Sequence, residues 1–214
     1  MTENNQPNLP AEPSPLTRRS ALRLLALTGV GVFAGTSQSQ AFFDFLSSYS
    51  ASPETLRSLG IPAEWSGMLG PQLPGYAAFL QKLNLHTITV RQMIEPHTHT
   101  HGRIHNTLPP RAMWGNIKTT LKMVDALSSR LHLQVKDAIS IYRCPSYNAT
   151  CPGAKSSSFH MRNNAIDVVY PCPPGKVAAM ARAMRATGLY KGGVGRYSGF
   201  THLDTRGNNA DWQA

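Results

Sequence analysis

Ser158-Phe159-His160-Met161-Arg162-Asn163-Asn164-Ala165-Ile166-Asp167 sets a histidine and an aspartate seven positions apart, the aspartate inside an apolar run that continues to Tyr170. The run from Ala165 to Tyr170 reads as a short strand, and a carboxylate in such a strand needs a partner inside the fold. Far downstream, Phe200-Thr201-His202-Leu203-Asp204 reads as a second strand, whose period of two puts Phe200, His202 and Asp204 on one face. Two ligand-bearing strands can then converge on one point. His160, Asp167 and His202 supply two imidazoles and one carboxylate, the donor set of a single catalytic zinc ion, Zn2+. Three protein ligands leave a fourth position for water, which zinc activates as a nucleophile near neutral pH. A hydrogen-bonded core aspartate and two unrelated histidines would satisfy the same spacing, so the surrounding motifs decide.

Those motifs are several and in a fixed order. Ser158-x-His160-x6-Asp167 is followed by His202-Leu203-Asp204-Thr205-Arg206-Gly207 with Trp212 nearby, and is preceded by Tyr142-Arg143-Cys144-Pro145-Ser146-Tyr147-Asn148. Over about residues 107 to 212 the chain resembles the zinc D-alanyl-D-alanine carboxypeptidases and murein endopeptidases that cut peptidoglycan stem peptides. The resemblance implies an α+β domain with a small antiparallel sheet and flanking helices, a fold shared with lysostaphin-type enzymes and the hedgehog signalling domain. It implies His160, Asp167 and His202 as metal ligands. It also implies Arg143 as a guanidinium that stabilises the oxyanion on the attacked carbonyl or holds a substrate carboxylate.

Ser158 either bonds substrate or steadies its own turn. Two departures from the family pattern bear on the site. Asn163 stands where the family has Gly, and Asn tolerates left-handed backbone better than most residues. Gly199 stands where many relatives carry an acidic general base three residues before the last His. Asp204, on the same face as His202, is then the candidate to move protons, with orientation of His202 as its other reading.

The start of the chain speaks to location. Thr17-Arg18-Arg19-Ser20-Ala21-Leu22-Arg23 resembles a twin-arginine export signal, an apolar run from Leu24 to Gly35 follows, and Ser39-Gln40-Ala41 offers small residues for cleavage before Phe42. The run is too short and Gly-rich for a membrane span, which needs about 20 residues. Residues 1–41 are therefore expected to be a removable leader, leaving a periplasmic protein with no membrane anchor. Residues 42–106 read as a lead-in and 107–214 as the catalytic core.

Basic residues number 21 against 11 acidic, a formal net charge of +10, and the leader accounts for only one unit of it. Such a balance suits an anionic polymer such as the cell wall. Nucleic acid is disfavoured as a partner, because the basic residues are scattered and no nucleic-acid motif is present. Cys144, Cys151 and Cys172 would meet an oxidising compartment, where one disulfide is expected, with Cys144–Cys151 and a pairing through Cys172 both open.

Hydrophobic spacing predicts a short helix after Pro53, a helix over Gly75–Leu83, a strand over His86–Met93 and a long helix over Ala112–His132. A strand over Ala138–Arg143, a helix over Lys176–Ala186 stopped by Gly188, and a Gly-rich approach to the last strand over Gly192–Tyr197 follow. Helices followed by hairpin-connected strands favour α+β over strict alternation.

A second cluster, Pro96-His97-Thr98-His99-Thr100-His101 with His105 nearby, can bind a transition metal if extended, or be a polar loop. The expected activity is that of an exported zinc peptidoglycan endopeptidase or carboxypeptidase. The alternatives are a zinc-containing wall-binding module without catalysis and a metal-binding protein built on the His-rich loop.

Overall fold

The computed structural model describes residues 52–214, so the expected leader over residues 1–41 lies outside the described residues. Three short helices come first: α1 (Pro53–Ser58), capped by the Ser52 side chain, α2 (Glu64–Leu69) and α3 (Leu73–Gln81). Leu73, Tyr76, Ala77 and Leu80 of α3 are buried in the same apolar cluster as the sheet residues Ile166 and Leu203. The supposed lead-in is therefore part of the core, and no break falls at residue 107.

The predicted strand over His86–Met93 does not form. Thr89 accepts a hydrogen bond from the Gln92 amide at 3.2 Å, and Gln92 Oε1 accepts from the Thr89 amide at 2.9 Å, a reciprocal cap that starts helix α4 (Val90–Ile94). Upstream, Thr87 donates through its amide and its hydroxyl to Asp125 Oδ1, at 2.9 and 2.7 Å. The alternation Thr87-Ile88-Thr89-Val90 buries Ile88, but the backbone polar groups go to a side chain and a cap instead of to a neighbouring strand. A 3-10 turn (Glu95–Thr98) leads into a hairpin of β1 (Thr100–His101) and β2 (Ile104–His105).

The predicted long helix divides into a 3-10 turn (Arg111–Ile117) and α5 (Lys118–Leu131). Leu121, Val124, Leu127 and Leu131 form its buried stripe, and His132 in left-handed conformation ends it. Then come β3 (Asp137–Ser140), α6 (Pro145–Thr150), a 3-10 turn (Phe159–Arg162) and β4 (Ala165–Val169). Helix α7 (Pro174–Ala186) leads to β5 (Gly193–Arg196), β6 (Thr201–Asp204) and β7 (Ala210–Gln213).

The main sheet runs β3-β4-β6-β5-β7, antiparallel except for the parallel pair β5–β7. Ile166 and Val168 of β4, Val194 of β5 and Leu203 of β6 join the apolar core with α5 and α7. Strand alternation sends their neighbours Asp167, Gly195 and His202 to the other face. This is the expected α+β domain with a small, mostly antiparallel sheet. Among the described residues, no helix is long and apolar enough to cross a membrane.

Candidate metal centre

Asp167 and His202 are directly opposite each other in the β4–β6 ladder. Opposed residues of an antiparallel pair present their side chains on the same face within a few ångströms, so register alone brings these two together. His160 comes from the 3-10 turn before β4. Ser158 caps that turn, its Oγ accepting from the His160 amide at 3.3 Å. Asn163 closes the turn at φ 51° and ψ 45°, the left-handed conformation that the family's Gly would adopt. The substitution therefore preserves the turn, and Asn163 Nδ2 adds a bond to the Met113 carbonyl at 3.0 Å.

Three donor atoms meet on the cleft face. His160 Nε2 lies 3.1 Å from His202 Nδ1 and 3.2 Å from Asp167 Oδ1, and His202 Nδ1 lies 2.8 Å from Asp167 Oδ1. The other ring nitrogens assign the tautomers. His160 Nδ1 is 2.6 Å from the Ile141 carbonyl and must donate to it, which leaves a lone pair on Nε2. His202 Nε2 is 3.0 Å from Asp204 Oδ2 and donates to that carboxylate, leaving a lone pair on Nδ1. With both rings neutral in these tautomers, two imidazole lone pairs and a carboxylate oxygen face one another, a set that either a proton on His202 Nδ1 or a metal ion satisfies. Zinc bonds of about 2.0–2.1 Å at tetrahedral angles space ligand atoms about 3.3–3.4 Å apart, so a slight widening of the triangle fits the ion. Among the described residues, this is the single group of His, Cys, Asp and Glu placed to hold a metal.

Electrostatics keep the ligands ready. Burial alone would raise the Asp167 carboxyl, but the charges and hydrogen bonds of His160 and His202 outweigh it and hold it well below the usual carboxylate range. Burial lowers His160 and so favours its neutral, metal-binding form. In His202 burial acts the same way, but bonds to Asp167 and Asp204 overcome it and raise the ring. Metal binding must compete with a proton there.

Asp204 proves to stand behind the site. Its side chain is fully buried. Oδ1 accepts from the Gly193 amide at 2.9 Å and from the Arg206 amide and Nε at 3.1 and 2.8 Å, while Oδ2 accepts from His202 Nε2 and Arg206 Nη2. Burial raises its pKa, yet Arg206, His202 and the Gly193 amide together depress it well below the ordinary carboxylate value. With its oxygens so committed and none facing the cleft, Asp204 cannot carry protons to and from substrate. Its bond to His202 Nε2 suits the other of the two readings, an orienting partner for that ring.

Arg143 stands beside Asp167. Its Nη2 bonds Asp167 Oδ2 at 2.6 Å and its Nε bonds Ser140 Oγ at 2.7 Å, which fixes the metal carboxylate from outside. Ser140 had no signal in the sequence. A register shift between Ala138 and Ser140 sets it opposite Asp167.

A cleft of about 580 Å³ lies over the triad, with Arg143, Ser158, Phe159, Tyr197, Phe200 and Trp212 in its walls. Among the described residues, Asp167 is the only acidic side chain lining it. Gly199 is in the turn joining β5 to β6, with open space around it.

The His-rich segment forms no second centre. His97 is wholly buried, its ring edge-on to Tyr76 at 5.7 Å, while His99 and His101 are exposed. The 3-10 turn breaks the extended conformation that would have aligned the three. The cysteines are free thiols. Cys144 and Cys151 bracket α6, which separates their Cα atoms by about 10 Å at helical rise, beyond the roughly 4.4–6.8 Å of a disulfide.

No curated protein and no solved structure gives a significant match to the chain. The family model for peptidase M15 matches residues 80–204, more than half of the chain and a span that holds His160, Asp167 and His202. This protein therefore belongs to the peptidase M15 family, the zinc D-alanyl-D-alanine carboxypeptidase type of metallopeptidase.

Proposed function

We propose that the protein is an exported zinc metallopeptidase that hydrolyses D-amino-acid peptide bonds in peptidoglycan stem peptides or crosslinks, and that it works in the periplasm after twin-arginine export. The meeting of three lone pairs at His160 Nε2, His202 Nδ1 and Asp167 Oδ1 carries the reading. When bound by these residues, zinc polarises the scissile carbonyl and lowers the pKa of water.

The chain supplies the rest. Asp204 and the Ile141 carbonyl hold the two imidazoles in their metal-binding tautomers. Arg143, anchored on Asp167 and Ser140, keeps further N–H groups for the cleft, where they meet the developing oxyanion or a substrate carboxylate. Ser158 accepts from the His160 amide and so has its O–H left to donate to substrate. The apolar rings of Phe159, Phe200 and Trp212 flank the bond to be cut.

Mass spectrometry of muropeptides incubated with the zinc-loaded protein and with its Asp167→Ala variant tests this reading. New product masses that vanish in the variant support hydrolysis and identify the bond. Binding to sacculi without any product would favour a second reading, a wall-binding module, which the lack of a second acidic side chain among the described residues lining the cleft recommends.

A further inference from the structure

A hydroxyl in the cleft has no part in the scheme so far. The Tyr197 amide donates to the Phe200 carbonyl at 3.1 Å, extending the β5–β6 ladder by one pair beyond Gly195↔His202 and Arg196↔Thr201. Alternation then sets Tyr197 on the same face as Gly195 and His202. Its ring stacks on Phe200 with centroids 4.3 Å apart and planes within 10°. The phenolic oxygen lies 3.1 Å from Trp212 Nε1.

The direction of that last bond matters. An indole N–H is a donor only, so the tyrosine oxygen accepts and its own proton stays uncommitted. Trp212 is fixed in turn. It sits opposite Gly195 in the β5–β7 pair, where an added Cβ would overlap the indole ring, and that ring lies 5.1 Å from the imidazole of His202. Strand order puts β5 and β7 on one side of the ligand-bearing strands, with β3, which leads into Arg143, on the other.

Resting on the peptidase reading above, we propose that Tyr197 is a catalytic residue whose hydroxyl donates a hydrogen bond to the oxygen that gains charge when the scissile carbonyl is attacked, from the wall opposite Arg143. Trp212 is its positioning residue. No proton changes hands: the phenolic O–H stays intact and its bond strengthens as negative charge grows on the acceptor. A neutral donor suits this wall of the cleft, where the described residues place no second acidic side chain.

Steady-state hydrolysis of muropeptides by the zinc-loaded protein tests the role, with zinc content and melting temperature measured on every variant. Tyr197→Phe is expected to lower kcat about 100-fold and to change KM less than about threefold, with zinc content and melting temperature unchanged. Trp212→Phe keeps the hydroxyl but frees it, so a smaller fall in kcat is expected, and the double variant is expected to be no worse than Tyr197→Phe alone. A wild-type kcat in Tyr197→Phe, or a loss confined to KM, overturns the proposal. Should Tyr197→Phe fail to fold, a wild-type kcat in Trp212→Phe overturns it instead. An inactive wild-type protein would sink the peptidase reading itself, a different result from active wild type beside equally active Tyr197→Phe.

Discussion

His97 is a core residue with a polar ring. Neither nitrogen completes a hydrogen bond, and burial pushes its pKa down to about 3, against a slight pull from the Thr107 backbone. The unfolded chain takes up a proton below about pH 6.5 that the folded chain refuses until about pH 3. Stability is therefore full above that window and falls as pH drops through it, by up to about 1.4 kcal/mol per pH unit. Urea unfolding at pH 7.5 and pH 5 should show a smaller acid loss in His97→Phe than in wild type; equal losses would refute the assignment. Asp204 belongs to the same scale. Asp204→Asn puts an N–H among donors and removes the charge that faces His202 and Arg206, so zinc affinity is expected to fall about 10- to 100-fold in chelator competition. Unchanged affinity would mean that His202 needs no orienting partner.

At the level of elements, the ligand-bearing pieces were legible because each carries a local signal. Asp167 interrupts an apolar strand, His202 falls on a period of two, and Asn163 is a residue type that tolerates a left-handed turn. The segment over His86–Met93 misled for an equally local reason. Its alternation is genuine and buries Ile88, but the Thr89–Gln92 cap and Asp125 take the backbone groups that a strand would need. Trp212 was marked by the closing motif, but its contact with Tyr197 left no trace, since it depends on a parallel pairing between β5 and β7 that no short-range pattern announces. Gly195 is the hinge of that contact. Gly195→Ala must push the indole out of the cleft or distort the sheet edge, with an expected cost of about 1–3 kcal/mol and altered tryptophan fluorescence. A variant with the wild-type melting temperature and spectrum would show that Trp212 does not rest there.

For the molecule as a whole, the centre is joined to the core. β4 and β6 each bear a ligand on one face and core side chains on the other, Ile166 and Val168 on β4 and Leu203 on β6. Anything that binds the folded site is therefore felt as global stability. Zinc at about 100 times its Kd is expected to stabilise the fold by about 2.7 kcal/mol, seen as a melting temperature that EDTA lowers. His160→Ala should show no such EDTA effect, and a persistent effect would place the ion elsewhere. The ladder between Asp167 and His202 has one more consequence, for descent. Two of the three ligands are spaced by backbone pairing, so the chain between them can lengthen or shorten while β4 and β6 stay paired. That intervening stretch includes Tyr197 and Phe200, which form part of the cleft wall. Insertions accepted there over generations would diversify what the protein cuts while its metal chemistry is inherited unchanged.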